Sequence, residues 1–416
     1  MSERQARAGQ RAGRRLLSAV MAFYLLAFLL LFLREYDLRA LALAAVVPAI
    51  IFIGVRGIPK LFPADRLLLS LTNFLCALGV LVLYRLSPER GLGQAVNYLV
   101  GVAAMIACTL FVRYVRRRRA FTILFIPAGL ALIALPLFIG NEINGARNWV
   151  SLGGFSFQPS EMVKLALLYV LAFLLSRRKW FLGGVYAALC LGALMLQKDL
   201  GTALMYYGVT IVMLYVSTGS LALVGIGLAG GAGAAVAGYK MFAHVRRRVS
   251  IWLNPWADPT NTGYQIVQGL IAMVNGGLWG VGLGLGNASV IPEYYNDFIF
   301  SVVLHEFGSL FGLMVLGMYL AIFLRGMMTA SRARTRFDTL LAVGCSAMLA
   351  LQTFVIVGGN IKLIPLTGIT LPFISYGGTS LVSSLAIIGL LQGVAARNEA
   401  GIRADKALAG YEEGGA

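Results

Sequence analysis

Twelve largely apolar runs follow one another along the chain, near 17–33, 40–54, 67–84, 94–112, 120–140, 161–175, 180–196, 200–217, 220–239, 300–324, 337–358 and 371–394. Clusters of Arg, Gly, Pro and Asn separate them. A hydrocarbon core of about 30 Å takes about 20 helical residues to cross, and inside it the backbone has to satisfy its own polar groups. The runs therefore predict an all-α, polytopic integral membrane protein with about 12 transmembrane helices. Composition agrees: 59% of the 416 residues are hydrophobic and 12% charged, where soluble domains run at about 45–50% and about 25%. Spans in that number consume about 240 residues. That leaves no room for an ATP-hydrolysing or nucleic-acid-binding module of ordinary size.

The net charge of +18 reads as membrane orientation. The first run follows a basic leader, Arg4, Arg7, Arg11, Arg14 and Arg15, and lacks a small-residue cleavage site, so a retained first span is expected. With the N-terminus cytoplasmic, the basic clusters all fall inside, as the positive-inside rule requires. They are Arg56, Lys60 and Arg66; Arg113 with Arg116 to Arg119; Arg177, Arg178 and Lys179; and Arg325, Arg332, Arg334 and Arg336. The tail with Arg397, Arg403 and Lys406 lands on the same side. Two outer segments stand apart, Asn141 to Ser160 and the long stretch from Phe242 to Asn296. The second carries Arg246, Arg247 and Arg248 on the side where positive charge is disfavoured. An ordinary long loop that escapes the rule and an anion site facing the outer leaflet both fit.

Acidic residues are scarce, and Glu142, Glu161, Asp199, Asp258, Glu293, Asp297 and Glu306 all fall in outer loops or at outer helix ends. Ionisable groups at membrane depth are costly unless paired or wetted. Glu161 with Lys164, and Glu306 beside His305, therefore suggest a hydrated pocket opening outward, although a pair three residues apart on one helix face serves equally well as structure. Cys76, Cys108, Cys190 and Cys345 sit in apolar runs without paired spacing and are expected to be packing residues. In the long loop, two prolines and two tryptophans surround Asp258, which in front of Pro259 is also an ordinary turn residue. The glycine series from Gly276 to Gly284 lacks the βαβ setting of a dinucleotide fingerprint and is expected to build tight turns or a close backbone surface for a substrate.

Six collinear motifs now carry a resemblance. They are Gly145-Ala-Arg147-Asn-Trp149; Phe157-Gln-Pro-Ser-Glu161-Met-Val-Lys164; Asp199-Leu-Gly-Thr202; Asn254-Pro-Trp-Ala-Asp258-Pro with Gly263-Tyr-Gln265; Pro292-Glu293 with Asp297-Phe-Ile-Phe300; and Leu363-Ile-Pro-Leu-Thr367-Gly368 through Ser375-Tyr-Gly-Gly378. Together, from about Gly145 to Gln392, they resemble the SEDS family, the FtsW, RodA and SpoVE group. The chain departs from it at His305, where members often have glutamate, at Thr379, a frequent serine, and in having five runs before the first motif instead of three. Residues 1–140 are read as N-terminal transmembrane helices and 141–416 as the SEDS-like core, with its catalytic loop over 242–300.

What the resemblance implies is a peptidoglycan glycosyltransferase of the bacterial cytoplasmic membrane, polymerising lipid II into glycan strands on the outer face, for elongation or division, with a class B penicillin-binding protein as partner. A lipid II transporter and a scaffold that activates a partner synthase are the alternatives. The family's catalytic loop aspartate maps onto Asp258. An inverting transfer from a lipid diphosphate asks for one base and for cations on the leaving diphosphate. Arg147 and Lys362 are the first candidates for the cations, followed by Arg246 to Arg248, with Lys164 and Lys198 also on the outer side. Trp149, Glu161, Asp297, Glu306 and Ser375 complete the substrate-binding set. A divalent cation, Mg2+ or Mn2+, is compatible with the same task, without diagnostic ligand spacing.

Overall fold

The computed structural model describes residues 3–143, 145–153 and 155–414. Six helices come first: α1 (Glu3–Glu35), α2 (Leu38–Phe52), α3 (Ile58–Leu61), α4 (Arg66–Leu86), α5 (Pro88–Tyr114) and α6 (Arg118–Ile139). A π-helical turn over Ile53–Gly57 joins α2 and α3 into one rod. A small antiparallel sheet follows, β1 (Asn141–Ile143), β2 (Ala146–Leu152) and β3 (Phe155–Phe157), in the order β1-β2-β3. Then come α7 (Pro159–Ser176), α8 (Trp180–Leu196), α9 (Leu200–Thr218), α10 (Leu221–Met241), α11 (Ala243–Leu253), α12 (Tyr264–Gly276), α13 (Ile299–Ser331), α14 (Arg336–Asn360) and α15 (Gly378–Gly414).

Among the described residues, 11 helices are long and apolar enough to cross a membrane, and α8 adds a shorter apolar one. Each of the twelve expected runs falls on one of these helices. The protein is thus a polytopic, multi-pass membrane protein. The centre is made by α4, α7, α14 and α15, whose side chains are mostly buried, whereas α1, α6 and α10 turn apolar side chains outward. Lipid tails are as apolar as these side chains, so packing between helices relies on close approach of small residues. Gly389 and Gly393 on α15 do this against α5: a Cβ at Gly389 would come within 2.3 Å of the Met105 carbonyl oxygen, and one at Gly393 within 2.9 Å of that of Thr109.

Three boundaries differ from the sequence reading. The last run was expected from 371, but α15 starts at Gly378; Leu371, Phe373 and Ile374 are a buried non-helical segment. There Ser375 Oγ accepts from the Leu371 N–H at 2.8 Å, a local bond that competes with helix formation. The long loop also folds into α11 and α12, neither long enough to span. Finally, α13 is broken at Gly308, whose φ of +84° and ψ of 167° no side-chain-bearing residue adopts readily.

The glycine series fills that break. Val281 and Gly282 N–H groups donate to the carbonyls of His305 and Glu306, each at 3.0 Å, and the Ser309 N–H donates to Gly277 at 2.9 Å. Irregular backbone at this depth is tolerated because its polar groups are satisfied within the protein. The series therefore builds structure through its tight turns.

The two ends of the bundle are chemically distinct. One collects the basic clusters, tied by Asp65 to Arg325 at 2.6 Å and by Asp338 to Arg397 at 2.6 Å. The other carries the sheet, α11, α12 and the connection between α14 and α15.

Candidate active site

At the end opposite the basic clusters, six segments converge on a cavity of about 420 Å³. The turn between β1 and β2 contributes Gly145 and Ala146, and the α8–α9 turn contributes Lys198. His244, Arg247 and Arg248 come from α11, Thr262 and Gln265 from the start of α12, and Glu293 and Asp297 from the segment before α13. Leu366 and Gly368 close it from the α14–α15 connection.

Asp297 is positioned through its backbone. Asn360, at the end of α14, donates from Nδ2 to the Asp297 carbonyl at 2.6 Å and accepts from Ser301 Oγ at 3.1 Å. Ser375 holds the neighbouring residue, donating to the Asn296 carbonyl at 2.8 Å. Arg90 from α5 lies over the Tyr295 ring, 3.5 Å from its centroid. Loss of solvent pushes the Asp297 carboxyl up to about 7, with the nearby Glu293 charge adding to the rise and Arg248 opposing it.

Asp258 lies at the rim. Its carboxylate accepts from the Thr262 N–H at 3.1 Å, from Thr262 Oγ1 at 3.0 Å and from Asn261 Nδ2 at 3.2 Å. The Thr262 N–H above all, with the two side chains, lowers its pKa. Thr262 itself lines the cavity, so Asp258 lies one hydrogen-bonded neighbour away from it, and the two aspartates are shifted in opposite directions.

The cations come from α11 and the α8–α9 turn. Arg248 donates to the Thr367 carbonyl at 2.9 Å, which aims its guanidinium across the cavity. Arg246 turns away and bonds the Lys240 carbonyl at 2.7 Å. Burial, then Arg248 and Lys198, lowers the pKa of His244, so its imidazole stays neutral, and its Nε2 is shielded without a hydrogen-bond partner among the described residues.

Other sequence-selected residues lie outside the lining. Arg147 is exposed, its N–H bonded to the Gln197 carbonyl at 3.0 Å, and Trp149 pairs with Asn141 across the sheet. Lys362 anchors α11 by its carbonyl, which accepts from Trp252 Nε1 at 3.1 Å. Glu161 and Lys164 form a closed buried pair at 2.7 Å, completed by Gln352 at 3.1 Å from Lys164 Nζ and by Ser383 at 2.5 Å from Glu161. Glu306 pairs with Arg85 Nε at 2.7 Å and accepts from the Gly284 N–H at 3.2 Å, beside Arg34, which donates to the Gly284 carbonyl. Three polar cavity residues were not singled out by sequence: Gln265 stood in a motif, Thr262 lay beside it, and His244 gave no signal.

Among the described residues no cluster of three or more His, Cys, Asp or Glu is arranged to hold a metal ion. Glu293 and Asp297 are the two carboxylates of the cavity lining.

Comparison with known proteins decides the family. The model of the cell cycle protein family of FtsW, RodA and SpoVE matches residues 65–400. The chain belongs to this family. It is 36% identical over 360 residues to the peptidoglycan glycosyltransferase RodA of Mycobacterium tuberculosis, covering 79% of this chain and 77% of that protein. It is 39% identical over 280 residues to the stage V sporulation protein E of Bacillus subtilis, covering 64% and 75%. Among solved structures, a peptidoglycan synthase complex that coordinates polymerization and crosslinking aligns with TM-score 0.67 at 30% identity, covering 81% of this chain and 98% of that one. The rod shape determining protein RodA of Thermus thermophilus aligns with TM-score 0.57 at 28% identity, covering 81% and 98%. The family match begins at α4, so α1 to α3 precede it.

Proposed function

We propose that this peptidoglycan glycosyltransferase of the RodA and FtsW type polymerises lipid II in the cavity around Asp297, with Asp258 as the base. The observation that carries this reading is the contrast between Asp297, which lines the cavity and is raised to about 7, and Asp258, which is lowered and bonded to the lining residue Thr262. Two carboxyls whose environments push them apart divide acid and base roles between them.

Asp258, ionised at the rim, takes the proton of the acceptor sugar hydroxyl as its oxygen attacks the anomeric carbon of the donor. The C–O bond to the diphosphate breaks with inversion. Arg247, Arg248 and Lys198 meet the charge that develops on the leaving group. Asp297 stands among these cations, and an incoming diphosphate raises its pKa further, so it donates a hydrogen bond to the departing oxygen. A divalent cation arriving on the diphosphate would meet Glu293, which suits an ion held largely by substrate phosphates.

The location supports surface chemistry over transport, since a transporter places its working charges near mid-membrane at broken helices. The positive-inside rule supports a cytoplasmic location for the basic end and, with it, a cavity facing the outer side of the bacterial cytoplasmic membrane. The apolar exterior suits docking of a class B penicillin-binding protein through its single transmembrane helix.

Purified protein incubated with lipid II, with and without its cognate penicillin-binding protein, yields glycan polymer on this reading. Absence of polymer in both mixtures would overturn it. The orientation is tested apart: a cysteine at position 260 reacts with an impermeant reagent from outside and one at 334 does not.

A further inference from the structure

A second cavity, of about 630 Å³, lies at the basic end of the bundle. Its walls come from four separate parts of the chain: the α5–α6 connection with Arg113, Arg116, Arg117 and Arg119; Arg177 after α7; Thr335 before α14; and Arg397 of α15. Arg118 and Val115 complete the lining. An excess of arginine at this end follows from membrane orientation alone. Orientation does not account for the convergence of arginines far apart in sequence on one concave surface.

Two of these arginines are fixed. Asp338, buried at the N-terminus of α14, pairs with Arg118 Nη2 at 3.2 Å and Arg397 Nη1 at 2.6 Å and accepts from Thr335 Oγ1 at 2.7 Å. Arg118 is also stacked over the Phe337 ring, 4.4 Å from its centroid. This single carboxylate is thereby used up in holding the floor. Arg113, Arg116, Arg117, Arg119 and Arg177 have no ion-pair partner among the described residues.

The start of α6 adds a second, independent sign. Arg117 is its N-cap without a side-chain hydrogen bond, and its first turn holds Arg118 and Arg119 with no acidic residue. Cations at a helix N-terminus oppose the helix dipole, which there favours negative charge. A helix N-terminus and several arginines lining one cavity both suit an anion.

We propose that this cavity binds a phosphate anion carrying at least two negative charges. Arginine's planar fork matches phosphate oxygens in pairs, and the five unpaired guanidiniums exceed what one monoanion offsets. Arg113 lies in the last turn of α5 and Arg118 starts α6, so the cavity lies level with the ends of the spans, at the depth of lipid headgroups. Basic pockets between transmembrane helices on the cytoplasmic side take such headgroups. Its occupant is distinct from the substrate at the opposite end of the bundle.

The test uses the full chain in phosphatidylcholine nanodiscs, titrated with diphosphatidylglycerol in one arm and inorganic pyrophosphate in the other, with bound ligand read by native mass spectrometry. Arg116→Gln/Arg117→Gln/Arg119→Gln weakens retention about a hundredfold, since each basic residue near an anionic surface contributes roughly fivefold. The triple Lys variant restores part of it, and Arg56→Gln/Lys60→Gln, elsewhere on the same end, leaves it unchanged. Retention of the lipid alone identifies a headgroup, and equal retention of pyrophosphate identifies the free anion. An unchanged triple Gln variant that still polymerises lipid II, or an equal loss in the Arg56/Lys60 variant, would overturn the proposal.

Discussion

Asp297 and Arg248 meet at Gly368: the position of a Cβ on that glycine lies 3.7 Å from Asp297 Oδ2 and 3.7 Å from Arg248 Nη2. Carboxyl and guanidinium thus reach the same small volume from two elements, the segment before α13 and α11. A diphosphate placed there would touch the cation directly and force the carboxyl to keep its proton.

That relationship has a pH signature. Burial pushes Asp297 up to about 7, so its protonated form, the proposed donor, is present at low pH and is lost as pH rises through 7. Polymerisation should fall on the alkaline side of neutrality. Asp297→Asn keeps a hydrogen-bond donor that does not titrate, so its pH–rate profile should lose the descending limb. A limb that persists unchanged in this variant would assign it to another group.

Arginine variants separate the cavity from its surroundings. On the proposed mechanism Arg248→Ala removes a cation facing the leaving group and should lower the polymerisation rate about 10²-fold or more, within the range for loss of one such donor. Arg147→Ala and Lys362→Ala, whose side chains lie outside the cavity lining, should cost much less. Initial rates over a range of lipid II concentrations check the ranking, and equal losses in all three would enlarge the diphosphate site to the Arg147 loop.

The buried pair Glu161 and Lys164 makes a stability forecast. Removing one partner leaves an uncompensated buried charge, at about 3–5 kcal/mol, whereas replacing both is far milder. Lys164→Met should therefore lower the thermal midpoint in detergent more than the double variant Glu161→Gln/Lys164→Met does. The reverse order would mean that water reaches this pair.

Much of the architecture was legible because a lipid crossing imposes a length and a polarity that a sequence cannot hide. The apolar runs fall on spanning helices, and the basic clusters gather at one end. Leu371 to Ile374 misled, because hydrophobicity reports burial and not backbone conformation. The fill of the α13 break was illegible for a different reason: Gly280 and Gly308 are far apart in sequence, and only the fold brings their backbones together. The same holds for Arg85, 221 positions before its partner Glu306. At the cavity, motifs located the segments that converge, while side-chain direction chose among neighbours: Arg247 and Arg248 face in and Arg246 does not, a distinction set by the register of α11.

Asp258 is the proposed base, and its turn geometry supplies the competing explanation. Its carboxylate bonds Thr262 and Asn261 as an ordinary turn residue would. Asp258→Asn preserves size and turn-forming ability while removing the proton acceptor. The decisive measurement is the initial rate of lipid II polymerisation by purified Asp258→Asn protein beside wild type, with equal membrane insertion verified. A general base predicts a loss of about 10² to 10⁴-fold. A rate near wild type would contradict the account and leave Asp258 a turn residue.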